Sequence, residues 1–337
     1  CNCATVLRSG RQVPVLCLAK ALRHQAFLLP YTLPCFPILN HMDTKTLAKV
    51  LVTAGEQRFR QKAERFRTEL KQERAGQVLF RGIMRALGYA KNTHSFLELA
   101  DRIPLSSIQS REGLAMKQAL LLGTAGLLPS QRRQAESGRR EEVQELERIW
   151  QSADRKAETM KESDWNLSHI YPNNSPVRRI IAQSYLLDRY CDRRLLAGIL
   201  QLVKDTRLSG GHSVLQNGLT VVGDGYWRDH FDFGVTSRTK ISVLLGHSKA
   251  GEIAVNVVLP FAFSWGELVD EKQLTDHAMQ LYRSYPRLPE NCLTRHMVRQ
   301  LRLEEVSDFT ACQQQGLIHI FTSYCREGRC SQCPLVR

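Results

Sequence analysis

The stretch Asp43-Thr-Lys-Thr-Leu-Ala-Lys-Val-Leu-Val-Thr-Ala-Gly-Glu-Gln-Arg-Phe-Arg-Gln-Lys-Ala-Glu-Arg-Phe-Arg-Thr-Glu-Leu70 decides the fold class. Asp43 and Thr44 are residue types that cap a helix start, and Leu47, Val50, Leu51 and Ala54 follow on one helical face. Gly55 is placed to end that helix. A second helical segment is expected after it, because Phe59, Ala63, Phe66 and Leu70 recur at intervals of four, three and four. The other face carries Arg58, Arg60, Lys62, Arg65, Arg67 and Lys71. It reads either as a solvated surface, balanced by Glu64, Glu69 and Glu73, or as a stripe for phosphate groups.

Outward from this stretch the helical pattern continues at 77–87, 94–102 and 111–128, the last apolar nearly all round and therefore central. Residues 129–141 form a polar linker. Beyond it Val143, Leu146, Trp150, Ala153, Ala157 and Met160 alternate by three and four, the seam of a helical hairpin or short coiled coil. Helices are expected again over 177–202, 249–263, 271–285, 293–303 and 309–324. The reading is a mainly α, multi-helix bundle in three parts: an extended or β remnant at 1–40, a helical subdomain at 41–130, and a second helical subdomain at 142–337 ending in a cysteine knuckle. Three prolines within 28–37 forbid helix in the first part.

With 337 residues, 43% of them hydrophobic, the chain can bury a sizeable core. Lys and Arg number 47 against 33 Asp and Glu, a formal charge of +14 that draws polyanions and makes nucleic acid the expected partner. No apolar run approaches the roughly 20 residues that span a bilayer. Ten cysteines without a signal peptide are expected to be reduced thiols in a cytoplasmic protein. The first residue is Cys1, from which a missing N-terminal piece is expected.

The sharpest chemical signal is Cys325-x4-Cys330-x2-Cys333, three thiols within nine positions, with Gly328 permitting a tight turn and Pro334 stopping any helix. Such thiolates suit one metal, and zinc and an iron–sulfur cluster both fit. A fourth ligand is open between Cys292, His296 and the N-terminal Cys1 or Cys3; Cys292 and His296 share a helix face. Cys312 is set aside as a core thiol, because thirteen helical residues separate it from Cys325 by roughly 20 Å at about 1.5 Å each. Arg326, Arg329 and Arg337 are placed to offset the thiolate charge.

Asp224, Asp229, His230 and Asp232 crowd around Trp227, either as an acid–base or ion-binding group or as turn caps paired with arginine. Arg178 and Arg179 follow Pro176 at a helix start, where they could seat a phosphate or pair with Asp188 or Asp192. Together with Arg58 and Arg65 they are the candidate nucleic-acid contacts. No P-loop, dinucleotide fingerprint, nucleophile elbow or HExxH is present.

Five ordered segments carry a resemblance: Ala86-Leu-Gly-Tyr-Ala-Lys-Asn92; Tyr171-Pro-Asn-Asn-Ser-Pro-Val-Arg-Arg179; Tyr226-Trp-Arg-Asp-His-Phe-Asp-Phe-Gly234; Val255-Asn-Val-Val-Leu-Pro-Phe261; and Gln313-Gln-Gln-Gly-Leu-Ile-His-Ile320 leading into the terminal cysteines. The set resembles a bacterial family known as domain of unknown function 2851. The resemblance implies an upstream, strand-rich segment suggestive of a metal-dependent nuclease core, and residues 1–22 look like the point just after it. No catalytic residue can be carried over. Two functions are therefore expected: the helical part of a nucleic-acid-processing protein with a structural metal, or a scaffold whose 143–160 seam docks a partner helix. A third places an enzyme at Asp224, Asp229 and His230.

Overall fold

The computed structural model describes residues 42–132, 140–153, 158–168, 170–237, 241–301, 303 and 309–336, and the backbone of 5–6 and 12–13. The expected remnant at 1–40 lies outside the described residues, apart from β1 (Thr5–Val6) pairing antiparallel with β2 (Gln12–Val13).

The fold is mainly α. Its spine is one helix, α1 (Thr44–Leu70), in which Asp43 accepts from the Lys45 and Thr46 backbone N–H groups at 2.9 Å. The expectation that Gly55 ends a helix is corrected: α1 runs straight through it. The missing side chain serves a crossing instead. α14 (Ala311–Ile320) lies so close that a Cβ on Gly55 would stand 2.1 Å from the Cys312 carbonyl oxygen, and one on Gly316 would stand 2.1 Å from that of Leu51.

In chain order between them come α2 (Ala75–Leu87), α3 (Thr93–Arg102), α4 (Leu105–Gln109), α5 (Leu114–Thr124) and α6 (Glu141–Ser152). Next are α7 (Pro176–Arg189), α8 (Arg194–Asp205), α9 (His212–Leu219) and four short strands, β3 (Val221–Val222), β4 (His230–Asp232), β5 (Val235–Thr236) and β6 (Val243–Leu245). β3 pairs with β6 and β4 with β5, both antiparallel. α10 (His247–Ile253) passes through a π-helical turn, Ala254–Val258, into α11 (Leu259–Leu268), followed by α12 (Lys272–Ser284) and α13 (Cys292–Gln300).

The aromatic face of α1 is buried against α11 and α12. Phe59 meets Phe263 edge-on at 5.4 Å and Tyr282 at 4.5 Å, and Phe66 meets Phe261 edge-on at 5.7 Å. Tyr282 donates its hydroxyl to the Gly55 carbonyl at 2.8 Å, so this ring is fixed at both ends. One apolar cluster joins Phe59, Phe66, Leu122, Trp150, Ile180 and Phe261, so both sides of the expected division at 130–141 feed a single core. A second cluster joins Leu47, Leu51, Met297, Leu317, Cys333 and Leu335, and it ties the end of the chain to the first turns of α1.

The seam expected over 143–160 is shorter than its spacing implies. α6 ends at Ser152, Ala157 lies outside the described residues, and Met160 follows in extended backbone, donating its N–H to the Thr124 carbonyl at 2.8 Å. Val143, Leu146 and Trp150 are buried, and the Trp150 ring occupies the space a Cβ on Gly123 of α5 would need. The face expected to dock a partner helix is therefore filled by the chain's own α5. Among the described residues no helix is long and apolar enough to cross a membrane.

Candidate metal centre and basic groove

α14 continues through a π-helical turn, Phe321–Cys325, and this extension delivers Cys325 to the chain's last turn. Gly328 adopts φ +67°, the left-handed geometry expected of it, and Cys330–Gln332 form a 3₁₀ turn in which the Cys333 N–H donates to the Cys330 carbonyl at 3.0 Å. The chain thereby folds Cys325, Cys330 and Cys333 onto the walls of one cavity of about 200 Å³, and α13 contributes His296 to the same cavity. Gln300 lies one helical turn beyond His296 and points its amide at the Cys325 sulfur, 3.9 Å away. The His296 ring stands edge-on to Phe321 at 5.6 Å.

Of the two α13 candidates, His296 lines the cavity and Cys292 is exposed outside it. Cys1 and Cys3 lie outside the described residues. Three sulfurs and one imidazole match in kind and number the donors of a four-coordinate site. Among the described residues, however, no group of three or more His, Cys, Asp or Glu side chains is arranged to hold an ion, so the four share a cavity without converging. Cys312 is a core thiol at the start of α14: it is fully buried, donates to the Val52 carbonyl at 3.7 Å, and burial, with Glu56 nearby, pushes it up to about 12.

Beside the thiol cavity runs an open groove of about 830 Å³. Gln57, Arg60, Gln61 and Glu64 of α1 line one side, with Glu64 paired to Arg67 at 2.7 Å, and Tyr324, Arg326 and Arg329 line the other; Tyr324 lines both spaces. Arg326 pairs with Glu327 at 3.2 Å, whereas Arg60 and Arg329 have no ion pair among the described residues. His319 also lines the groove, and burial, followed by the Arg58 charge, lowers its pKa.

One step around α1, Arg58, Lys62 and Arg65 lie half-buried in a row. Lys62 donates to Asn256 Oδ1 at 2.5 Å and Gln315 Oε1 at 2.7 Å, and Arg58 donates to the same Gln315 oxygen at 2.9 Å. Burial lowers the Lys62 pKa well below its ordinary value, and the Arg58 and Arg65 charges lower it further. Asn256 reaches Lys62 from the π-helical turn, a local irregularity that spacing alone does not reveal. Arg65 stands 3.6 Å from Glu69 and over the Phe66 ring at 5.1 Å. Of the two α1 arginines expected to contact nucleic acid, Arg58 is thus partly committed to Gln315 and Arg65 to its own helix.

Arg178 and Arg179 are engaged by other groups of the chain, and among the described residues neither makes the ion pair with Asp188 or Asp192 that was the alternative expected for them. Arg178 is fully buried and donates to the backbone carbonyls of Trp227 at 3.1 Å, His230 at 2.5 Å, Val243 at 3.3 Å and Ile241. One guanidinium thus fastens both two-stranded ladders to α7, and burial brings its pKa down to about 10. Arg179 donates to the Leu244 carbonyl at 2.6 Å, Asn174 Oδ1 at 2.5 Å and the Tyr89 hydroxyl at 3.0 Å. Asp188 holds the buried Lys117 ammonium at 2.7 Å instead.

The acidic group around Trp227 is dispersed in the same way. Asp232 pairs with Arg132 at 2.7 Å, Asp224 accepts from the Tyr185 hydroxyl, and only Asp229 reaches His230, at 2.6 Å. The His230 ring is buried, shares its Nδ1 with the Tyr226 carbonyl at 2.8 Å and stacks on the Tyr226 ring at 3.8 Å. Each acid of the group thus has a different partner.

Residues 5–291 match the family model described as "Protein of unknown function (DUF2851)". No curated protein and no solved structure matches the chain.

Proposed function

The chain belongs to the DUF2851 family of proteins of unknown function, and from that premise we propose that it binds nucleic acid in the groove between α1 and a metal-closed C-terminal knuckle. The observation that carries the proposal is the shared wall: Arg326 and Arg329 project from the turn bearing the cysteines, face Arg60 of α1, and meet the thiol cavity at Tyr324. Guanidinium groups contact phosphate oxygens through paired N–H donors, which fix a strand's position without reading its sequence. A net charge of +14 adds long-range attraction.

The metal's role in this reading is structural. Cys325, Cys330, Cys333 and His296 would hold it only once drawn together from the cavity walls that they line, with the Gln300 amide beside the first sulfur. Three thiolates on a divalent ion leave a net negative charge, which Arg326 and Arg329 offset while keeping their outer N–H groups for phosphate. Zinc suits three thiolates and an imidazole; an iron–sulfur cluster suits the same sulfurs and differs by its colour.

The test is an anisotropy titration with single- and double-stranded oligonucleotides. Three phosphate contacts give a slope of log affinity against log salt of roughly −2 to −3, and Arg60→Gln or Arg329→Gln each reduces it by about 0.7 to 0.9. Absence of binding at low salt, or a slope that ignores both substitutions, refutes the groove.

A further inference from the structure

α2, α4 and the first turn of α8 line an open cleft of about 620 Å³, a volume suited to a small metabolite. Arg74, Arg81 and Arg194 line it, with Glu73 and Asp101 as the acids. The hydrogen-bonding groups divide unevenly. Asp101 pairs with Arg81 at 3.0 Å, and Glu73 accepts the Arg74 backbone N–H at 2.8 Å while keeping its charge. Gln77 uses both ends of its amide, donating to the Ala100 carbonyl at 2.8 Å and accepting from the Leu105 N–H at 2.7 Å. What remains unspent is donors: the guanidinium groups of Arg74 and Arg194 have no ion pair among the described residues. Leu105 and Leu196 supply an apolar wall.

A second observation concerns Arg194 itself. Its backbone sits at φ +59°, in the left-handed region that a side-chain-bearing residue enters only at a cost, and such residues collect where function needs the position. Glycine would fit this conformation without strain.

We propose that this cleft is a binding site for a small organic phosphate, with Arg74 and Arg194 gripping the phosphate and the carbon skeleton lying along Leu105 and Leu196. An acceptor-rich, doubly charged head group is the ligand that answers a surplus of donors of this kind. The site is separate from the nucleic-acid groove and does not depend on that reading.

Thermal unfolding of the full chain with ribose 5-phosphate, inorganic phosphate and ribose tests it. Ribose 5-phosphate is expected to raise Tm saturably and more strongly than inorganic phosphate, and ribose not at all. Because glycine relaxes the backbone, Arg194→Gly should leave the ligand-free Tm unchanged or higher, yet weaken ribose 5-phosphate at least tenfold. Arg60→Gln and Arg329→Gln should reduce oligonucleotide binding and leave ribose 5-phosphate unaffected. The proposal is overturned if no phosphate up to about 10 mM shifts Tm. It is equally overturned if Arg194→Gly retains the shift, or if the groove substitutions abolish it.

Discussion

Gly316→Ala tests the crossing of α1 and α14, the contact that holds the cysteine-bearing end of the chain against the spine. Helix propensity taken alone favours alanine, by about 1 kcal/mol in a helix interior. The geometry opposes it. The new Cβ would lie 2.1 Å from the Leu51 carbonyl oxygen and 3.2 Å from the Gly55 nitrogen, both backbone atoms of another helix, whereas ordinary contact begins near 3.4 Å. Neither neighbour can rotate away, so the helices must separate by about 1 Å, loosening Leu51, Leu317 and the Tyr282 bond to Gly55. Overpacking of this kind costs about 1–3 kcal/mol, and the lost contacts add to it, for a net destabilisation of about 2 kcal/mol or more. Urea unfolding followed by circular dichroism measures the difference. Gly76→Ala serves as the control, since its Cβ would meet the movable Leu105 Cδ2 at 3.3 Å and the Leu196 Cβ at an ordinary 4.0 Å, and should be neutral or stabilising. The double variant Gly55→Ala/Gly316→Ala should cost less than the sum of the singles, because one separation relieves both clashes. If Gly316→Ala is as stable as the parent chain, the argument from close approach is wrong.

Further outcomes concern buried polar groups. Arg178→Met leaves several ladder carbonyls without donors and should destabilise by about 3 kcal/mol or more, with Arg178→Lys recovering only part, as read by the same urea series. Lys62 has its folded pKa lowered, so between that value and 10.5 the unfolded chain holds more protons and stability rises with pH. Lys62→Met should flatten this rise; a pH series kept below 9 avoids Cys312, whose raised pKa withdraws stability as pH climbs from 9.0 towards about 12. An unchanged slope in Lys62→Met would show that its charge is solvated. Trp150→Ala empties the space in front of Gly123 and should cost about 3–5 kcal/mol by the same unfolding measurement, with a smaller loss pointing to collapse of the site.

Much of the helical order was legible because apolar residues repeat at helical spacing, as on the Phe59–Phe66 face; the Asp43 cap followed from residue type, and the placing of Cys312 away from the other thiols from its distance along a helix. Gly55 was misread because a glycine that stops a helix and one that admits a neighbouring helix look the same until the partner, here Gly316 some 260 positions away, is known. Arg178 and Arg179 looked like phosphate ligands for a related reason, since the carbonyls that receive them belong to short, irregular strands with little alternation. The thiols could be grouped from their spacing, and His296 could be proposed from its phase on α13, but its choice over Cys292 required the fold. The phosphate cleft drew no attention in the sequence, because Arg74 and Arg194 come from two separate helix starts and form no motif.

The claim that a metal-closed knuckle holds the phosphate groove is tested most directly by oligonucleotide affinity measured at one salt concentration, on the metal-loaded chain, after chelation, and after restoring the metal. The account predicts binding by the loaded chain, at least a tenfold loss on stripping, and recovery on reloading. Equal affinity in all three states, or no binding in any, would contradict it.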